Sequence, residues 1–216
     1  AQIREPLEST DTTGYRLVHG ENDGFPGLVI DRYADTLVLK LYTPAWIPHL
    51  KEFCSALAQI SPAEHLILRL NRLLQKQTEF LHNLSDGMTL SLQTPPSLIL
   101  FKENGLTFES DPILGQKTGF FLDQRDNRAK VGELSEGKSV LNVFAYSGGF
   151  SVYAARGGAR EVVSVDISSH AMEAAIRNME YNQHFPAVAA ASHETFAEDA
   201  FDVLARDEHE VGHLVD

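Results

Sequence analysis

The chain has 216 residues, 43% of them hydrophobic and 22% charged, with 18 basic against 30 acidic side chains for a formal net charge of −12. At about 150 residues per domain this leaves room for one large domain or two small ones, and the composition excludes collagen-like, coiled-coil and low-complexity chains. No run of about 18 apolar residues occurs, and the opening AQIREPLEST lacks the basic start and apolar stretch of a secretory leader, so the expectation is a cytoplasmic protein with no membrane contact. The single cysteine, Cys54, can form no internal disulfide and no multi-cysteine metal cluster. The acidic balance repels a polyanion at long range, so a nucleic-acid partner would be held by a local basic patch or by other parts of the protein.

Residues 1–14 read as a tail or linker. Segments 15–20, 27–33 and 36–42 are rich in Val, Ile, Leu and Tyr, and Ala34-Asp35 suggests a tight hairpin between the last two. Alternation of Leu37, Leu39 and Leu41 with Val38, Lys40 and Tyr42 marks a half-buried strand. Over 47–60 the apolar positions Ile47, Leu50, Phe53, Cys54, Leu57 and Ile60 recur every three or four residues, which predicts an amphipathic helix with Cys54 on its buried face. Ser61-Pro62-Ala63-Glu64 resembles a helix start, yet Leu66, Leu68 and Leu70 alternate, and a strand is favoured. Segments 97–102 and 106–109, split by Glu103-Asn104-Gly105, form a second predicted hairpin. Together these outline a small α+β domain of strand-helix-strand type over residues 15–111.

From residue 112 to 216 strands and helices alternate, the pattern of a parallel sheet with crossovers. Strands are predicted at 139–145, 161–165 and 187–191, and helices at 150–156, 170–183 and 194–205, with Gly157-Gly158 suited to a left-handed C-cap. Leu214-Val215 would begin a fourth strand. In the loop Tyr146-Ser147-Gly148-Gly149-Phe150 a glycine turn at the end of the first strand can bring backbone and ligand together. Two adjacent glycines flanked by Phe144 and Tyr146 do not make the three-glycine cradle of a pyrophosphate site. Asp166, at the end of the second strand, can accept hydrogen bonds from both hydroxyls of a ribose. An adenosine lacking phosphates fits both features, S-adenosylmethionine is the common cofactor of that kind, and Asp199 after the third strand could accept from the adenine amino group. Each feature also has a plain alternative: a packing turn for the glycines, and a helix cap for Asp166 and for Asp123.

The stretches GENDGFPGLVIDRYAD (20–35), GQKTGFFLDQRDNR (115–128) and VLNVFAYSGGFSVYAARGGAREVVSVDIS (140–168) resemble the bacterial RlmI-type family of S-adenosylmethionine-dependent ribosomal RNA methyltransferases. The resemblance covers nearly the whole chain. It implies a central strand-helix-strand domain followed by the first part of a class I (Rossmann-like) methyltransferase domain, and modification of large-subunit ribosomal RNA at cytosine C5. It also implies that Gln116, Phe120, Asp123 and Arg125 belong to a motif ahead of the first strand and Phe144, Tyr146 and Gly148 to the cofactor loop. Asp166 would be the ribose contact and Asp199 the adenine contact.

The family's N-terminal PUA domain and its Asp-Pro-Pro motif have no match in the sequence, and Cys54 lies in the wrong domain to be the nucleophile of C5 methylation. The chain is therefore expected to be a fragment without catalytic residues of its own, binding cofactor weakly or not at all, and to dimerise through the edge of its first sheet strand. The alternative from another class is a non-enzymatic interaction module with a partial nucleotide fold. His209-Glu210-Val211-Gly212-His213 spells the H-E-x-x-H of zinc proteases, but the highly charged residues before it argue for a solvated loop, and no metal is expected.

Overall fold

The computed structural model describes residue 7 and residues 9–113, 115 and 117–205. The chain divides into two compact units, one built from the residues up to Gly105 together with Glu109–Leu122, the other from Leu106–Phe108 together with those from Asp123 on.

In the first unit β1 (Gly14–His19), β2 (Leu28–Tyr33), β3 (Thr36–Leu41) and β4 (His65–Leu70) form one sheet in that order. β1 to β3 pair antiparallel, whereas β3 and β4 are parallel because α1 (Leu50–Ile60) carries the chain back between them. The predicted hairpin turn forms at Ala34, with φ +50°. Alternation sorts the two faces. Leu28, Ile30, Leu39, Leu41, Leu68 and Leu70 pack with Leu50 and Leu57 of α1 into the core, with Phe53 and Cys54 partly buried against it. Removing a leucine side chain from water is worth roughly 2 kcal/mol, so this face fixes the register of the sheet. A bulge between Arg16 and Val18 lets Arg16 pair with Asp31 on the opposite face while Val18 pairs with the core residue Ile30.

The helix expected from residue 47 begins at Leu50. Pro48 lies in the preceding residues, which form a 3-10 turn at Pro44–His49 capped by Thr43 Oγ1 accepting from Ala45 N at 3.3 Å. A short helix, α2 (Thr78–Leu81), follows β4. β5 (Ile99–Glu103) and β6 (Leu106–Ser110) form a two-stranded sheet turned at Asn104-Gly105, where φ is +51° and +79°.

The second unit runs α3 (Arg125–Leu134), β7 (Ser139–Val143), α4 (Gly149–Arg156), β8 (Glu161–Val165), α5 (Ser169–Glu180), α6 (Pro186–Ala190), β9 (Ser192–Phe196) and α7 (Ala200–Leu204). β7, β8 and β9 are parallel in that order, and among the described residues β7 pairs on one side only. One face buries Val163 and Val165 against Ala200 and Val203 of α7. The other carries a polar chain: Asn142 Nδ2 donates to Ser151 Oγ at 2.9 Å, Ser151 and Ser164 share a bond of 2.7 Å, and Ser164 Oγ lies 2.9 Å from His193 Nε2. α3 and α4 approach so closely that a Cβ at Gly157 would run into the carbonyl of Gly132, while Gly158, with φ +91°, takes the left-handed turn that the glycine pair predicts. Thr107 and Asn182 exchange backbone-to-side-chain bonds of 2.9 and 2.7 Å, and Phe108 stacks on Tyr153.

Two predicted elements are corrected. Residues 187–191 lie in and just after helix α6 rather than in the third strand, and 194–205 are not one helix, because the strand is β9 at Ser192–Phe196 and the helix is the shorter α7. Pro186 at the first helical position and the alanines after it start a helix well, whereas β9, an edge strand of half-exposed polar residues, carries no apolar run to announce it. Leu214-Val215 and the 209–213 motif lie outside the described residues. No helix among the described residues is long and apolar enough to cross a membrane.

Candidate functional site

β7 leaves the sheet through a loop in which Phe144, Tyr146 and Gly148 take φ of +59°, +49° and +72°. Left-handed backbone at two bulky residues costs about 1–3 kcal/mol each and persists only where surroundings enforce it. Here they do. Ala145 N donates to Val165 O at 2.9 Å, Tyr146 N to Asp166 Oδ2 at 2.9 Å, Gly148 N to Ala145 O at 3.0 Å, and the buried Asn178 Nδ2 to Ser147 O at 2.8 Å. At Gly148 a Cβ would stand 2.7 Å from that of Ala175, so close packing on α5 is what forbids a side chain there. Ser147 Oγ is buried and has no hydrogen-bond partner among the described residues.

Asp166 ends β8 half-buried. Its Oδ2 holds Tyr146 N, and its Oδ1 accepts from Ser168 N at 3.0 Å. Each carboxylate oxygen has about two acceptor sites, so capacity for two further donors remains. The capping role weighed for Asp166 belongs instead to Ser168, whose Oγ accepts from Ala171 N at 3.2 Å at the start of α5. Asp199 does cap its helix, accepting from Phe201 N at 2.8 Å. Beside these acceptors lie large apolar side chains left open to solvent. Ile167 is 74% exposed, Phe144 70% and Phe201 73%, and the two phenylalanine rings meet edge-on at 6.5 Å. Acceptors for a diol flanked by apolar surface for a flat ring suit a nucleoside.

Of the residues singled out from the sequence, Phe144, Tyr146, Gly148 and Asp166 are thus joined in one hydrogen-bonded turn, and Asp199 is linked to it through Phe201 and Phe144. Asp123 is exposed in the 3-10 turn Leu122–Gln124. Gln124, not Asp123, occupies the N-cap of α3, and Arg125 opens that helix with Nε 3.3 Å from Asp126 Oδ1. Phe120 belongs to the first unit, buried edge-on against Phe101 at 5.1 Å, with its carbonyl accepting from Tyr33 Oη at 3.4 Å. Gln116 lies outside the described residues. Sequence reading missed Ile167, Phe201 and Ser147; an apolar residue directly after the acidic one, where the chain leaves the sheet, is the signal that could have revealed Ile167. Among the described residues no group of three or more His, Cys, Asp or Glu could hold a metal ion.

A parallel sheet with a glycine turn after its first strand and a carboxylate after its second is the Rossmann-like arrangement of class I methyltransferases. A family model for S-adenosylmethionine-dependent methyltransferases matches residues 15–202, and the chain belongs to that family. It is 50% identical over 194 residues to a ribosomal RNA large subunit methyltransferase of Deinococcus radiodurans, covering 90% of this chain and 46% of that one. It is 40% identical over 171 residues to ribosomal RNA large subunit methyltransferase I of Tolumonas auensis, covering 79% and 43%. The chain therefore spans about half the length of the curated relatives it matches. A crystal structure of a methyltransferase complexed with SAH superposes with a TM-score of 0.79 at 29% identity, over 98% of this chain and 52% of that one. S-adenosylmethionine fits the donor and acceptor set: free acceptor capacity at Asp166, open apolar flanks, and no phosphate cradle.

Proposed function

We propose that the chain forms the cofactor-binding portion of a methyltransferase acting on large-subunit ribosomal RNA at cytosine C5. The second unit would hold S-adenosylmethionine through Asp166, Asp199 and the 144–148 loop, with Asp123 and Arg125 at the start of α3. S-adenosylmethionine supplies an electrophilic methyl group. The observation that carries the reading is Asp166, pre-oriented by Tyr146 N and Ser168 N with acceptor capacity left for a ribose diol. The names of the relatives support RNA as the substrate.

C5 methylation requires a thiolate that adds to the pyrimidine at C6. Cys54 is not assigned that role, because it packs in the first unit's core and burial pushes its thiol pKa up, away from the thiolate. Pairing of two copies through the edge of β7 that is unpaired among the described residues belongs to the same proposal, and sedimentation of a pure monomer at high concentration would count against it.

The decisive experiment is calorimetric titration of S-adenosylmethionine into the protein and its Asp166→Ala variant. Binding, weak but measurable, is expected for the first and none for the second. Equal binding by both would overturn the site, and no binding by the unaltered protein would overturn the function.

A further inference from the structure

The turn of residues 144–148 rests on α5 and the residues that end it, and this side of the helix carries two polar side chains where packing alone calls for none. Ala175, Asn178 and Asn182 follow one another at spacings of three and four, so they stand in a row. Ala145 packs against Met172 and Ala175, and Gly148 lies directly over Ala175. Asn178 and Asn182 are both fully buried. Asparagine is a poor helix former, and its amide is costly to bury unless it finds partners.

Those partners form a line that ends at the turn. Asn182 Oδ1 accepts from Thr107 N at 2.9 Å, and its Nδ2 donates to Thr107 O at 2.7 Å and to Asn178 O at 2.8 Å, so both amide protons are used. It pairs with Thr107, itself part of the second unit, through N–H and C=O together, as a neighbouring strand would. Asn178 Nδ2 donates in turn to Ser147 O at 2.8 Å, while the other end of the same peptide group, Gly148 N, donates to Ala145 O at 3.0 Å. A peptide group held at both ends cannot rotate, and this one sets the φ of +72° at Gly148. One residue before Ser147, Tyr146 N sits on the carboxylate of Asp166. Without Asn178, Ser147 O loses a buried donor, and a buried carbonyl that loses its donor turns to find another.

We propose that Asn178 and Asn182 are positioning residues for S-adenosylmethionine. Asn178 holds the peptide between Ser147 and Gly148 in the orientation that leaves Tyr146 N on Asp166, and Asn182 holds Asn178 and the end of α5 against Thr107. Neither is assigned a contact with the cofactor; both act through the loop. A leucine of similar volume would fill the same space and is the better helix former, so packing does not account for the amides. What the amides add is direction, since each specifies a backbone group and a geometry that an apolar contact leaves free. The inference rests on the cofactor site proposed above and names what holds that site in shape.

The test is calorimetric titration of S-adenosylmethionine into the protein and into Asn178→Ala, Asn178→Asp and Asn182→Ala at a series of pH values from about 8 downward to about 5.5, above the range in which a buried histidine charges, with the folding of each variant checked by circular dichroism. Asn178→Ala is expected to weaken binding about tenfold at every pH, the worth of one net hydrogen bond, and Asn182→Ala about threefold. Asn178→Asp keeps the shape and exchanges the donor for a carboxyl that donates only when protonated. It should bind no better than Asn178→Ala at the top of the series and climb toward the unaltered protein as pH falls. A role in packing alone gives no such profile. Ser135→Ala removes another buried polar group of the same unit, a hydroxyl bonded to Val131 O, and should leave affinity unchanged. In hydrogen exchange without cofactor, Tyr146 and Gly148 N–H should exchange faster in both alanine variants at the asparagines, with Val163 and Val165 of β8 unchanged. Unaltered affinity in either of those alanine variants, an Asn178→Asp profile no different from that of Asn178→Ala, or an equal loss in Ser135→Ala would each overturn the assignment. Binding abolished by Asp166→Ala but normal in the asparagine variants would leave the cofactor site standing and remove the positioning role alone, whereas no binding by the unaltered protein would remove both.

Discussion

His193 closes the polar chain behind the second unit's sheet, and burial pushes its pKa down to about 4. A base whose folded pKa lies below its unfolded value of about 6.5 takes up a proton on unfolding, so its effect on stability is absent above pH 6.5 and grows as pH falls toward 4. Unfolding by denaturant should therefore show a loss of about 3 kcal/mol across that window, and His193→Gln should flatten the slope. A slope identical in the variant would remove His193 as its source. The residue was invisible as a special histidine in the sequence, because its partner Ser164 lies on another strand, diagonally across from it and two residues along from its register partner Val162. Asp166 was legible because its position after a predicted strand defines its environment. Phe144 and Tyr146 were legible as neighbours of a glycine turn, but not as left-handed residues, since that conformation is imposed by Asp166, Val165 and Asn178 from elsewhere in the chain.

Among the elements, those with a strong period came through: the alternation of β3, the three-and-four spacing of α1, and the small-residue face of α5 where Ala171, Ala174, Ala175 and Met179 are buried. The pair α6 and β9 did not, because Ala-Val-Ala-Ala is short enough to suit helix or strand and Ser-His-Glu-Thr-Phe is too polar to look like either. The junction of β7 with α4 depends on Gly148 meeting α5 without a side chain. Gly148→Ala would combine a left-handed alanine with overlap on Ala175, and is expected to cost about 2–3 kcal/mol in chemical denaturation. A cost below about 0.5 kcal/mol, within the range of ordinary surface changes, would mean the loop can reseat itself.

Across the whole molecule there are separate cores, leucines around α1 in the first unit and valines around α7 in the second. Each can respond to ligand on its own account. S-adenosylmethionine stabilises whatever it binds by mass action, so hydrogen exchange should show added protection at 143–149 and 165–171 while the β1 to β4 core stays as it was. Equal protection in both would contradict a cofactor site built from the second unit. The path of the chain has a further consequence. It passes from the first unit to the second after Gly105, returns at Glu109, and crosses again after Leu122, with Thr107 tied to Asn182 on the way. Neither unit is a continuous stretch of gene. A single recombination point cannot exchange one for a foreign counterpart without stranding three residues or fourteen, so the two would be inherited together and would change in step.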